Sequence, residues 1–250
     1  MSVLDILVSV RSVQEARTAA RFPCVLDVKW PDAGSLGAAP LRTLHAIAEI
    51  GAAHNRPVSA ALGDAPPWRT ADGRGLLSLL NHANIQFVKL GTATLARELT
   101  QREVRELVQS TVDQVKAVSP ATRVILASFA DYRNCGGLPP EVCVRVAAEA
   151  GADGILVDTY RKRPGKTLFD YLGWQELTAL RQRCAGHLLL FALAGSLGPA
   201  HVFLLKNIRP NYVGFRSAIT SRSSRTSALD ASKLEKLFRT FAAARELACG

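Results

Sequence analysis

The segment LDVKWPDAGSLGA, residues 26–38, sets Asp27 and Lys29 two apart, where an apolar run stops and a glycine-punctuated loop begins. Alternate side chains of an extended chain share a face, so this carboxylate and this amine point the same way. A lysine in a dry site beside other ammonium groups has a lowered pKa. It can then attack a carbonyl and form a Schiff base. A neighbouring carboxylate can carry the protons of carbinolamine dehydration and enolisation. Acid and amine recur further on, as Lys89 in FVKLG and as Asp158, Lys162 and Lys166 in VDTYRKRPGKT. Asp64 in LGDAP and Asp131 in SFADYR stand at equivalent points and are additional candidates. The cations comprise 8 Lys and 23 Arg, which sum to 31. Arginine is this chain's default cation, so lysines at such places suggest amine chemistry that a guanidinium cannot perform.

Short apolar runs alternate with amphipathic segments. Strands are expected at 6–10, 24–28, 58–62, 86–90, 124–128, 154–157, 188–193 and 212–215, and helices at 13–21, 41–53, 74–83, 100–118, 139–150, 174–185, 199–206 and 230–246. Thr100 and Glu103 have the spacing of a capping box that starts the fourth helix. Eight strand–helix units in 250 residues predict a single-domain (β/α)8 TIM barrel of the α/β class. A doubly wound open sheet ranks second, because no GxGxxG loop follows the first strand.

Barrel enzymes carry their chemistry at the C-terminal ends of the strands, which is where these acids and lysines fall. Loops after the seventh and eighth strands commonly bind phosphate in this fold. They assign that role to Gly195, Ser196, Gly214 and Arg216, with Lys166 beside them. Trp30 is a candidate pocket wall. The Ser/Arg-rich stretch 216–230 reads as a mobile loop after the eighth strand.

Composition narrows the classes. Hydrophobic residues make up 48% of the chain, enough for a sizeable core. No apolar run reaches the roughly 18 residues of a membrane span, and the N-terminus lacks the basic start of a signal peptide. A cytoplasmic protein without membrane contact is expected. The 5 cysteines are odd in number, form no CxxC pair and stand apart from any His cluster, so neither a disulfide framework nor a metal site is expected. The five histidines are scattered, and none is given a catalytic role. The formal charge of +10 favours anionic partners. Against nucleic acid, no recognition motif and no aromatic–basic interleaving is present. Oligomeric state, including a homo-oligomer, is left open.

The blocks LDVKWPDAGSLGA, VSAALGD, FVKLG, VDTYRKRPGKTLFDYL, ALAGS and YVGFRSA, in order, resemble the (5-formylfuran-3-yl)methyl phosphate synthases of methanofuran biosynthesis. The resemblance implies a (β/α)8 barrel; no cofactor is expected, because the lysines supply the electrophilic activation that a metal otherwise would. The resemblance also implies a lyase that condenses two glyceraldehyde-3-phosphate molecules, one isomerised first to dihydroxyacetone phosphate, into the furan phosphate. Phosphate and water are lost. By motif, the Schiff-base lysine falls on Lys29 and its carboxylate partner on Asp27, with Lys89, Asp158 and Lys162 completing the site. Trp30 stands where Asn is common in archaeal members, and Ser217 replaces a Gly. Another lysine aldolase or a sugar-phosphate isomerase on the same fold is the alternative.

Overall fold

The computed structural model describes residues 4–63, 71–83 and 85–246. Its strands are β1 (Asp5–Val10), β2 (Val25–Val28), β3 (Val58–Ala61), β4 (Phe87–Gly91), β5 (Arg123–Phe129), β6 (Gly154–Asp158), β7 (Leu190–Leu193) and β8 (Tyr212–Phe215). Its helices are α1 (Val13–Ala19), α2 (Leu41–Ala53), α3 (Ala71–His82), α4 (Leu95–Glu98), α5 (Gln101–Val118), α6 (Pro140–Glu149), α7 (Trp174–Gly186), α8 (Val202–Ile208) and α9 (Ala231–Glu246). Each strand pairs in parallel with the next, and β8 pairs with β1 to close the barrel. This is the (β/α)8 architecture expected from the alternation.

Boundaries move by at most three residues from those expected, and α4 is an added turn. The expected strand at 188–193 begins only at Leu190. Leu188 has φ +58° and is 94% exposed, so the chain is still turning there. The expected helix at 199–206 opens as a 3-10 turn over Pro199–His201 before α8 takes over.

Strand parity sorts the side chains into two layers. Val8, Leu26, Val28, Val88, Leu126, Ile155, Val157 and Val213 face outward and pack with the helices. Leu7, Val25, Ala61, Phe87, Ile125, Phe129, Leu156 and Ala192 face inward and fill the barrel. Because the period is two, Asp27, Lys29, Lys89 and Asp158 inherit the inward direction. They form the polar top of that column of apolar residues. No helix among the described residues is long and apolar enough to cross a membrane.

The start of α5 is the capping box expected at Thr100. Its side chain accepts from Glu103 N, and the Glu103 carboxylate accepts from Thr100 N at 2.7 Å. Thr100→Ala should destabilise the protein by about 1 kcal/mol. Chemical denaturation at unchanged m-value is the measurement; an unaltered midpoint would show that α5 is held by packing alone.

Candidate active site

Five side chains from three strand ends form one row of alternating charge. Lys89, from β4, contacts Asp27 Oδ1. The other oxygen of Asp27, from β2, lies 3.6 Å from Lys29 Nζ. Lys29 lies 3.4 Å from Asp158 Oδ2 at the end of β6. Asp158 Oδ1 in turn lies 2.5 Å from Lys162 Nζ. Parallel register explains the assembly, since neighbouring strands put their inward side chains at matching heights. Ser9 of β1 pairs in register with Asp27, and its hydroxyl donates to Asp27 Oδ2 at 2.9 Å. Thr159 completes the other end. Its N–H donates to Asp158 Oδ1 at 2.7 Å, and its hydroxyl accepts from Lys162 at 2.9 Å.

Among the described residues Lys29 alone touches both carboxylates, and it lines the open cavity above them. Asp27 and Lys89 lie beneath, almost wholly buried. Burial lowers the Lys89 ammonium to about 7, with Asp158 opposing. Burial also lowers Lys162, again against Asp158 and assisted by Lys29. For Asp158, burial favours the neutral acid, but Lys162 and Lys29 outweigh it and hold the carboxyl well below its usual range. The arrangement offers a reachable primary amine, two flanking carboxylates as proton carriers and a second amine poised near neutrality.

The cavity has a volume of about 480 Å³. Its wall carries Arg11, Lys29, Lys162, Arg163, Lys166, Arg216 and Arg225 against a single carboxylate, Asp158, among the described residues. Gly195, Ser196 and Gly214 line it, as expected of the β7 and β8 loops. Gly195 has φ +115°, and a Cβ there would lie 3.0 Å from Thr159 Cγ2 and 3.3 Å from Thr159 N. Ser196 follows at φ +54°, a conformation that costs a non-glycine residue roughly 1–2 kcal/mol. The turn therefore brings bare backbone against the β6 loop and the cavity.

Other expected residues have different places. Lys166 reaches the cavity rim but is half exposed and paired with Asp170 at 2.9 Å. Asp131 does not line the cavity. Its oxygens accept from Tyr160 N at 2.6 Å and Arg161 N at 3.0 Å, so it pins the chain that carries Lys162. Trp30 is not part of the cavity wall. Asp64 lies outside the described residues.

Arg216, expected as a phosphate ligand, has its side chain engaged within the protein. It lines the cavity, but its five N–H donors are all committed. Nε donates to Arg225 O, Nη1 to Ser9 O and Glu15 Oε2, and Nη2 to Glu15 Oε1 and Ser227 O, at distances between 2.6 and 3.0 Å. The buried Glu15 cancels its charge and also accepts from Leu229 N at 3.1 Å. The stretch 216–230 is correspondingly tied down, with an antiparallel bridge between Thr220 and Leu229 and with Lys233 of α9 donating to Thr220 O at 2.7 Å.

A family model described as 4-HFC-P synthase matches residues 6–238, nearly the whole chain. The chain belongs to the 4-HFC-P synthase family. Among relatives in this enzyme family, the "(5-formylfuran-3-yl)methyl phosphate synthase" of Methanopyrus kandleri is 33% identical over 201 residues, covering 80% of this chain and 82% of that protein. The protein of the same name from Methanocaldococcus jannaschii is 32% identical over 225 residues, covering 89% and 92%. Both bear out the resemblance carried by the motifs. Phosphoribosyl anthranilate isomerase from Thermus thermophilus has the same barrel, with a TM-score of 0.62 at 19% identity over 96% of this chain and 99% of that one.

Within this 4-HFC-P synthase fold, three participants escaped the sequence reading. Ser9 could have been found by aligning the end of β1 with Asp27 once a barrel was assumed. Glu15 sits one turn into α1 and looks like an ordinary first-turn acid. Arg225 belongs to the Ser/Arg-rich stretch, where composition alone does not separate it from Arg222. No cluster of three or more His, Cys, Asp or Glu suited to a metal ion occurs among the described residues.

Proposed function

We propose that the protein is a (5-formylfuran-3-yl)methyl phosphate synthase serving methanofuran-type cofactor biosynthesis, condensing two glyceraldehyde-3-phosphate molecules through a Schiff base on Lys29. The observation that carries this reading is the place of Lys29, open to the cavity and held between Asp27 and Asp158. One triose is isomerised to dihydroxyacetone phosphate. The Lys29 amine adds to a triose carbonyl, water leaves, and an iminium forms. Asp27 and Asp158 move the protons of these steps. Loss of a proton from the adjacent carbon gives an enamine, whose carbon attacks the second carbonyl. Elimination, ring closure and release from Lys29 complete the product. Across the sequence two trioses yield the furan phosphate, one orthophosphate and two waters, with no net oxidation.

Two phosphate monoesters bring roughly four negative charges into one cavity, each being about −1.5 to −2 near neutral pH. The cation-rich wall matches that burden. KM should therefore rise with ionic strength while kcat changes less, because salt screens attraction between an open site and its substrate. A salt-independent KM would show that the wall charges do not act on the substrate.

The deciding test is the product formed from glyceraldehyde-3-phosphate alone, identified by mass and by the ultraviolet absorption of a conjugated furan aldehyde. A non-furan aldol or the isomer dihydroxyacetone phosphate as the only product would favour the aldolase or isomerase reading, since the charge row would serve any imine reaction.

A further inference from the structure

Beneath the row of charges, inside the barrel, lies a smaller cavity of about 20 Å³. Ser59 of β3 and Lys89 of β4 line it, with Leu7, Phe87, Ile125 and Ala192 among its apolar walls. At its other end Tyr212 packs edge-on against Phe87, its phenol within electrostatic range of Asp5 and Arg123 at the strand starts. Ser59 stands in register with Asp27 on one side and Phe87 on the other, so its side chain shares their inward direction. It is 1% exposed, yet its hydroxyl has no hydrogen-bond partner among the described residues, and no other buried side-chain nitrogen or oxygen there is left so. The Asp27 carboxylate beside it is already engaged, Oδ1 by Lys89 and Oδ2 by Ser9 and Lys29. An unpaired buried hydroxyl is costly, and such groups are satisfied by protein or by ordered water.

We propose that this cavity is the site of one ordered water that hydrogen-bonds both Ser59 Oγ and Lys89 Nζ, making Ser59 a positioning residue for the Lys89 amine. A water needs about 10–15 Å³ of such space, so the cavity takes one molecule and nothing larger. Cavities that stay dry are apolar, whereas this one has a hydroxyl and an amine in its wall. An ammonium has three donors, and among the described residues only Asp27 accepts from Lys89. The pairing suits an amine that changes protonation state. When Lys89 holds its proton, the water accepts from it and donates to Ser59 Oγ. When the amine is neutral, the water turns to donate to Nζ and accepts from the Ser59 hydroxyl. Water and hydroxyl each donate and accept, so both states keep their bonds. The charged groups facing Lys89 are Asp27 from β2 and Asp158 from β6, with Lys29 beyond Asp27, while its register partners Ala61 of β3 and Ile125 of β5 are apolar. The water site stands on the cavity and the hydroxyl alone; its part in turnover rests on the reading of Lys29 as the imine-forming amine.

The test uses the full-length protein and its Ser59→Ala variant. A crystal structure of the wild-type protein, at a resolution that shows ordered water, should place one water within hydrogen-bond distance of both Ser59 Oγ and Lys89 Nζ, and the variant should lose it. Separately, the Lys89 ammonium is titrated by NMR of isotope-labelled lysine side chains, its signal assigned by its loss in Lys89→Met. With a hydrogen bond to the charged form removed, Ser59→Ala should lower the proton affinity of Lys89 roughly tenfold and move the acid limb of kcat/KM to lower pH by the same factor. A cavity without density, or Ser59 Oγ bonded to another group, would overturn the proposal, and so would a Lys89 titration identical in the two proteins. An equal shift at Lys162 would mark a general loosening of the site and would overturn the positioning role. Should Ser59→Ala fail to fold, the wild-type density decides. If borohydride traps no triose on the wild-type protein, the imine reading fails, and density and titration still decide the water.

Discussion

Borohydride reduction in the presence of glyceraldehyde-3-phosphate should leave a stable adduct on Lys29 and on no other lysine. Peptide mass mapping is the measurement. Lys29→Arg preserves the charge between Asp27 and Asp158 but has no amine to form an imine, so it should abolish both trapping and turnover. The expected loss is at least on the order of 10³-fold, since proton transfer by a positioned group alone is worth about 10²–10⁴ and covalent catalysis is lost with it. Geometry favours Lys29 over its neighbours for separate reasons. Lys89 lies beneath the cavity floor, in contact with Asp27 and almost wholly buried. Lys162 reaches the cavity but among the described residues has only one carboxylate, Asp158, whose Oδ1 it shares with Thr159 N. A reduced adduct on Lys162 with Lys29 unmodified would sink the assignment and move the imine to the rim.

Much of this site was legible because two simple periods coincide. Alternation by two placed Asp27 and Lys29 on one face, and barrel closure made that face the interior. Strand ends then collected Lys89 and Asp158 into the same layer without any contact being known beforehand. The helices were equally plain where caps and amphipathic spacing agreed, as at Thr100 and Glu103. Boundaries slipped where the local pattern misleads: LLLFAL reads as one apolar run, yet Leu188 turns outward with φ +58° before β7 begins.

The limits were reached where a residue's role depends on partners far along the chain. Arg216 and Arg225 are nine residues apart and equally basic. Nothing near them in sequence shows that the guanidinium of Arg216 pairs with the buried Glu15, some two hundred residues earlier. Asp131 likewise follows a barrel strand as a catalytic acid would. Its oxygens are nevertheless taken by the amides of Tyr160 and Arg161, so its effect on the site passes through the β6 loop. A strand-end position identifies the layer a side chain enters; the donors already present there decide whether it is left for substrate.

The remaining large effect concerns Lys89. Burial lowers its amine from 10.5 to about 7, so it loses its proton within the working range. Its contact with Asp27 links it to Lys29, because Asp27 touches both amines. We therefore expect Lys89 to accept, through Asp27, the proton that Lys29 sheds on attacking the carbonyl. As a base it works only when unprotonated, so kcat/KM should climb as pH rises through about 7. Lys89→Met, similar in length and without charge, should delete that limb and lower kcat by about 10²–10⁴. A stability signature accompanies it. Between about 7 and 10.5 the unfolded chain holds a proton at Lys89 that the folded protein does not, so this group makes stability rise with pH across that window. Below the window both states are protonated and the full cost of the buried charge remains; Lys89→Met should flatten the slope. Denaturant midpoints and initial rates from pH 6 to 9 give both readouts. If the rate limb near 7 persists in Lys89→Met, the base is another group, and Lys89 then acts only as the buried counter-charge of Asp27.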